Sequence, residues 1–394
     1  MRSPEPHSNL IFADGRNPVL STLIQLREGR RPKTGLNWTD NPHNRHMQCE
    51  TDLSRDVSRE LTVGIAERLI DRSRQTTCSP DISDAAGLIG QWWNKPSAPP
   101  DILLARAHVR QRLRDYHEAL EDLREILEKF PDHNGARLTL IEVLKSLGRL
   151  NEAARESISL RSTLPPLVAA TAHLGVASLR GQANGSFHAL KARLDQDTHS
   201  SIAQKRQAAS ILGEIAVRLG MKDEAEQLFL YALNLGEKTE EVRCQYADLL
   251  LDQGRHETLR QFVATGPEST GLQLRLAKSY RTTSPDHPRL NPILRSLKSS
   301  LSRNPSGNLQ AQFLRGFGVH ASERERAYLA LHVERNPGDA LALAIRNWEF
   351  QKLPIDTLLV IEAAHAAGKP EKVDHVKRWI DGHGMEDQRL LRFL

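Results

Sequence analysis

The chain is short of the residues that would staple a fold or anchor it in a bilayer. Its 394 residues include three cysteines, Cys49, Cys78 and Cys244, an odd number at wide spacing from which no disulfide framework follows. Aromatic residues make up only 5%, a profile that suits helices packing through Ala, Leu, Arg and Glu better than strands, which favour aromatic and β-branched side chains. No stretch approaches the ~20 apolar residues of a membrane-spanning helix. Near the start, the apolar patch from Leu10 to Ala13 is cut off by Asp14 and Arg16, too short for the centre of an export signal. The expected location is therefore cytoplasmic, with a periplasmic or exported one as the alternative if the true N-terminus differs.

An excess of one charge is also missing. Lys and Arg number 54 against 49 Asp and Glu, a net charge of +5, which is no footprint of a dedicated polyanion binder. One stretch departs from this balance. Arg275, Lys278, Arg281, Arg289, Arg295, Lys298 and Arg303 face only Asp286 between Gly271 and Pro305, and make RNA or another polyanion the alternative partner.

Signatures of chemistry are absent too. There is no GxxxxGK[ST] phosphate loop, no GxGxxG after a strand, no GxSxG elbow and no HExxH pair. His43, His46 and Cys49 form a local set of metal-ligand types, but no second pair of ligands lies nearby. Cys244 stands beside Arg243, yet its expected role is that of a small, half-buried helical residue. Trp92, Trp93 and Trp348 fall at apolar helical spacing and are expected in packing, while His365, His375 and His383 are expected to face solvent. The chain is read as not an enzyme, with no cofactor and no metal.

What is present is helical period. Residues 1–54 are rich in Asn, Pro, Arg, Thr and Ser and are expected to be disordered or loosely ordered, with one short helix at Val19–Leu26. Helical spacing then sets in with Leu61, Ile65, Leu69 and Ile70, and resumes with Ala85, Leu88, Ile89 and Trp92 after Ser79-Pro80. Beyond Pro99-Pro100 the windows DYHEALEDLREILEKFPDH and GRLNEAARESISLRSTLPPL place Ala119 and Ala153 34 residues apart, and Pro131 and Pro165 34 apart again. Gly220 and Gly254 repeat the same offset of 34, which identifies a repeat architecture.

Residue by residue, these windows resemble the tetratricopeptide repeat family, whose unit is helix A, a tight turn and helix B. Leu140, Leu144, Gly148, Ala153 and Pro165 carry the resemblance in one unit, and Leu212, Gly213, Ala216, Gly220, Ala225, Phe229 and Ala232 in another. Small residues at Gly213 and Ala225 let the two helices approach, and Gly220 suits the left-handed conformation that reverses the chain. Arg106 departs from the pattern where a large apolar residue is usual, the window from Leu167 to Asp195 fits poorly, and Leu259 replaces a small helix-B residue. The segments QWW…PPDILLARA and ALALAIRNWEFQKLPIDTLLVIEAAHAAG are similar to bacterial tetratricopeptide proteins of undefined role, among which an exported N-terminus is common.

The resemblance implies an all-α fold, an α-solenoid forming a right-handed superhelix over residues 55–394. Its clearest repeats are at 100–133, 134–167, 206–239 and 240–265, with degenerate pairs elsewhere. Such an array lines its concave side with A helices and suits a non-catalytic scaffold that binds a peptide or partner helix in the groove. Register counting places His108, Arg112, Glu142, Lys145, Glu214, Arg218, Asp248 and Asp252 there. A protein or peptide is thus the expected partner and nucleic acid is not; an envelope-associated assembly factor is a further alternative.

Overall fold

The computed structural model describes residues 44–74, 80–95, 98–236, 239–301 and 323–393. The short helix expected at Val19–Leu26, most of the N-terminal segment, Cys78 and Arg303 lie outside the described residues, as do the side chains of His43, His46 and Cys49. The chain divides into two compact units, Met1–Asp56 and Val57–Leu394. Of the first, the described part is the beginning of α1 (Asn44–Ser73), which starts inside the segment expected to lack order.

The second unit is an α-solenoid, with no strand among its described residues. After α2 (Pro80–Leu88) the helices run in pairs: α3 (Pro100–Arg112) with α4 (Tyr116–Lys129), α5 (Asn134–Ser146) with α6 (Leu150–Ser159), and α7 (Pro166–Ala177) with α8 (Ala183–Gln196). Then come α9 (Ile202–Arg218) with α10 (Lys222–Asn234), α11 (Glu240–Asp252) with α12 (His256–Ala264), and α13 (Thr270–Thr283) with α14 (Leu290–Ser300). The closing part holds α15 (Glu323–Leu329), a π-helical turn (Ala330–Glu334), α16 (Pro337–Phe350), α17 (Pro354–Ala366), α18 (Asp374–His383) and a short 3-10 turn (Gln388–Leu390).

Local chemistry sets these boundaries. Proline occupies the first turn of α3, α7, α16 and α17, where its missing N–H costs nothing. Ser201 and Gln204 close a capping box on α9. Between A and B helices the chain reverses through Gly148, Gly220 and Gly254 at φ 72°, 75° and 70°, the left-handed conformation glycine adopts without a Cβ clash. Arg114 takes the equivalent place in the first pair at φ 63°, a conformation that costs a side-chain-bearing residue about 1 kcal/mol.

The packing follows from the small residues. Ala119, Ala153, Gly213 and Ala225 bring paired helices together, and a Cβ on Gly213 would come within 2.7 Å of Cδ1 of the fully buried Phe229. The core runs as overlapping clusters from Ala66 to Val176, from Leu167 to Leu272, from Leu274 to Val333 and from Ala327 to Leu390, so each repeat shares apolar surface with its neighbours. The poorly fitting window from Leu167 to Asp195 forms the pair α7–α8 nonetheless, with Leu167, Ala183, Phe187 and Leu190 buried. Arg106, the departure from pattern in α3, is 4% exposed and its Nη2 lies 2.5 Å from Asp122 Oδ1, while Nη1 donates to Trp93 O at 3.1 Å and Lys95 O at 3.0 Å. It ties the turn at Trp93–Lys95 to the first repeat, which a leucine could not do.

The array does not end freely. Arg114 Nη2 reaches Glu325 Oε1 at 2.6 Å, Lys352 N donates to Ser146 O at 2.7 Å, and Ala183 N donates to Glu386 Oε2 at 2.8 Å. The closing helices and the tail beyond Gly384 therefore lie along the A–B turns of successive repeats.

Candidate functional site

Two clusters of charge gather on the helices of the solenoid. The first joins α3, α5, α9 and α11. Lys145, nearly buried, holds Glu142 at 2.9 Å, and burial, which by itself lowers its pKa, is overcome by the carboxylates of Glu142 and Glu214, so its pKa is raised. Arg112 donates to Ser73 O at 2.7 Å; burial and then the neighbouring Arg74 lower its pKa. Glu241 completes the group from the first turn of α11. Burial, then the like charges of Glu214 and Glu142, push its carboxyl above the usual glutamate range against the pull of Lys145 and Arg112. Arg112 and Glu241 both stay in contact with solvent although protein crowds them.

The second cluster lies where α11 and α13 meet the closing segment. Arg275 Nη2 holds Asp248 Oδ2 at 2.6 Å, and both Arg275 and Lys278 sit over the Tyr328 ring, at 5.0 and 5.4 Å from its centroid. Arg392 pairs with Glu362, whose other oxygen lies 3.5 Å from His332 Nε2. Burial pushes Asp252 and Glu362 up. Burial, aided by Lys278, Arg275 and Arg392, pulls His332 down to about 2. His332 rides on the π-helical turn, whose exit is the left-handed Arg335 at φ 58°.

The eight groove positions read from register thus divide. Arg112, Glu142, Lys145 and Glu214 converge in the first cluster; Asp248 and Asp252 belong to the second. His108 stands apart, with Nδ1 2.9 Å from Glu67 Oε1 and Nε2 3.0 Å from Thr139 Oγ1. Arg218 is 1% exposed and donates to Ser178 O at 2.9 Å, Ser178 Oγ at 2.7 Å and Glu386 O at 3.2 Å, so the tail covers it. Glu241, Glu362, Arg389 and Arg392 complete the clusters without having been read from the sequence, and Lys278 was read only as part of the basic stretch. Glu241 had a signal: it precedes Asp248 by seven residues, two helical turns, and so shares its face.

Other candidates settle into packing. Cys244 is half-buried, and burial pushes its thiol up to about 12. Trp93 and Trp348 are buried. Of the three C-terminal histidines His375 is exposed, 5.3 Å from Trp348, while His365 and His383 are half-buried, at 5.2 Å from Phe393 and 4.5 Å from Trp379. Among the described residues no helix is long and apolar enough to cross a membrane, and no group of three metal-ligand side chains gathers.

Residues 112–159, which span the turn of one repeat and most of the next, match the tetratricopeptide repeat family. That segment carries tetratricopeptide repeat sequence within the α-solenoid, and the tetratricopeptide fold serves generally as a protein–protein interaction scaffold. No curated protein matches it. Among solved structures it is similar to a tetratricopeptide repeat protein from Parabacteroides merdae, with 15% identity over 66% of this chain and 98% of that one at a TM-score of 0.39. The human IFIT1 dimer with m7Gppp-AAAA aligns at 9% identity over 76% and 78%, TM-score 0.41. The P58(IPK) TPR domain aligns at 14% identity over 85% and 96%, TM-score 0.23. At these scores the similarities carry no argument about function.

Proposed function

We propose that the protein is a non-catalytic scaffold whose concave side grips an extended segment or helix of a partner protein, and that the partner presents a basic side chain to the first charge cluster. The observation that supports this reading is the arrangement of Glu142, Glu214 and Glu241 around one ammonium, Lys145. Among the described residues Glu214 and Glu241 have no ion pair, and Glu241 is held in a crowded place where its ionised form is costly. A Lys or Arg from a guest would relieve that repulsion, and a partly desolvated pair of this kind contributes more than one at an open surface.

The polyanion reading finds less support. Of the basic stretch, Arg275 is committed to Asp248, Arg281 Nε donates to Val333 O at 2.9 Å, and Lys298 lies 2.9 Å from Glu334. These three cations are engaged within the fold, which leaves the exposed Arg289 and Arg295 as the open part of the stretch, fewer than a phosphate-tracking stripe needs.

The test is affinity capture with quantitative mass spectrometry, comparing the wild type with Glu214→Lys plus Glu241→Lys and with a convex-face control, Arg124→Glu plus Arg155→Glu. The groove variant should lose the partners that the control retains. Equal recovery by both variants refutes the assignment, and binding that collapses with added salt only for nucleic acid favours the polyanion reading.

A further inference from the structure

The tail from Gly384 to Phe393 sits on a rim made by the C-terminal ends of the A helices. Those ends expose carbonyls and carry the negative pole of each helix, and the rim is capped by donors from elsewhere: Ser146 O accepts from Lys352 N, and Ser178 O from Arg218 Nη1. The tail fits it closely. Gly384 O approaches within 3.3 Å of the Cβ position of Gly181, the Gln388 side chain fills the space beside Gly220, and Leu390 is 1% exposed. Arg392 pairs with Glu362, while Arg389 is paired with Asp387 at 2.6 Å and lies near enough to Asp252 and Asp248 to feel their charge. Leu391, between them, is 70% exposed. Contact is thus made by the buried Met385 and Leu390, by Phe393, by Glu386 and Gln388, and by two arginines three positions apart.

We propose that this rim is a docking surface for a basic segment with two arginines three residues apart, and that the protein's own tail occupies it as a displaceable stand-in. The charge balance supports such a guest: Asp248, Asp252 and Glu362 lie together, and of these Asp252 has no ion pair among the described residues. The inference rests on reading the inner side of the solenoid as a protein-binding surface, but concerns the second cluster and not the first. An incoming segment would take over the carboxylates from Arg389 and Arg392, so occupancy by a partner and closure by the tail exclude each other.

The experiment uses the full-length chain and a fluorescein-labelled peptide, GMEDQRLLRFL, copied from the tail. Arg389→Glu plus Arg392→Glu in the chain leaves the carboxylates in place and repels the tail. That variant should bind the peptide about tenfold tighter than the wild type, the factor expected when the tail closes the site about nine-tenths of the time. Adding Asp252→Lys and Glu362→Lys should abolish binding, and a peptide with both arginines replaced by glutamate should not bind. A variant that keeps the wild-type helical signal and melting cooperativity yet ignores the peptide overturns the proposal, as does equal binding of the glutamate peptide. Should the variant fail to fold, hydrogen exchange on the wild type decides: saturating peptide should speed exchange at residues 385–393, and unchanged exchange overturns the proposal. If the peptide fails while the Glu214 and Glu241 variant still loses its partners, the tail inference falls and the scaffold reading stands.

Discussion

Replacing Arg114 with glycine separates the two demands placed on the first A–B turn. At φ 63° the arginine is in the left-handed region, so glycine should favour the turn by about 1 kcal/mol. Its guanidinium, however, holds Glu325 at 2.6 Å, with side-chain exposures of 14% and 9%. Burial by itself pushes the Glu325 carboxyl up, but Arg114 and then Arg324 overcome it and hold the pKa below the usual glutamate range. Removing one partner of such a buried pair costs about 3–5 kcal/mol, because the other charge is left uncompensated. Arg324 remains nearby and reduces that loss, so the net destabilisation of Arg114→Gly should be about 1–3 kcal/mol. Urea unfolding followed by circular dichroism measures it. Adding Glu325→Gln should return about half, since a neutral amide needs no counter-ion. The sign with pH follows from the depressed pKa: the stability that Glu325 contributes is present above the unfolded carboxylate pKa and is lost as pH falls through the folded value. Wild type and Arg114→Gly should therefore converge in acid. A glycine variant as stable as the wild type at neutral pH would refute the role of this pair in closing the array.

The remaining predictions concern packing, protonation and reactivity. Gly213→Ala gains about 1 kcal/mol of helix propensity but drives a methyl group into Phe229, which typically costs about 1–3 kcal/mol; it should destabilise in thermal melts unless Phe229→Leu is added, and a stabilised single variant would contradict the packing. His332 stays neutral in the folded chain while the unfolded histidine protonates below about pH 6.5. Stability should thus fall as pH drops from there, by up to about 2 kcal/mol at pH 5, and His332→Gln should flatten that part of the curve. The raised carboxylates Asp252, Glu362 and Glu241 act the other way, because their cost is relieved as pH falls. Cys244, with its thiol pushed up to about 12, should resist iodoacetamide at pH 8 in the native chain and react in urea, as peptide mapping would show; rapid native labelling would contradict its burial.

The parts of the fold that sequence made legible are those written into neighbouring residues. An offset of 34 repeats because each hairpin meets the next in the same way, so Ala119, Ala153 and the glycines of the turns appear at fixed intervals. That Arg112, Glu142, Lys145 and Glu214 share a face was legible for the same reason, since helical register fixes a face. The pair α7–α8 was obscured because α7 is apolar nearly all round and its turn glycine, Gly181, comes 33 residues after Gly148. Closure was barely legible. Arg114 and Glu325 are 211 residues apart, and Arg218 and Glu386 168 apart; a single ion pair or hydrogen bond between distant points leaves no period to detect.

A faint trace of closure did exist in the departures from pattern. An arginine where the repeat favours glycine, or one buried at Arg218 on a face counted as groove, is costly unless something distant rewards it. Buried guanidinium groups are tolerated when their donors are used, and Arg218 uses Nη1 and Nη2 on Ser178 and Glu386. The departures at Arg114 and Arg218 therefore mark the same rim, one held by α15 and the other by the tail. Arg106, in the middle of α3, ties the entry to the first repeat; the two irregular cations at the ends of A helices instead mark turns that are covered, and the cover carries Arg392 to Glu362.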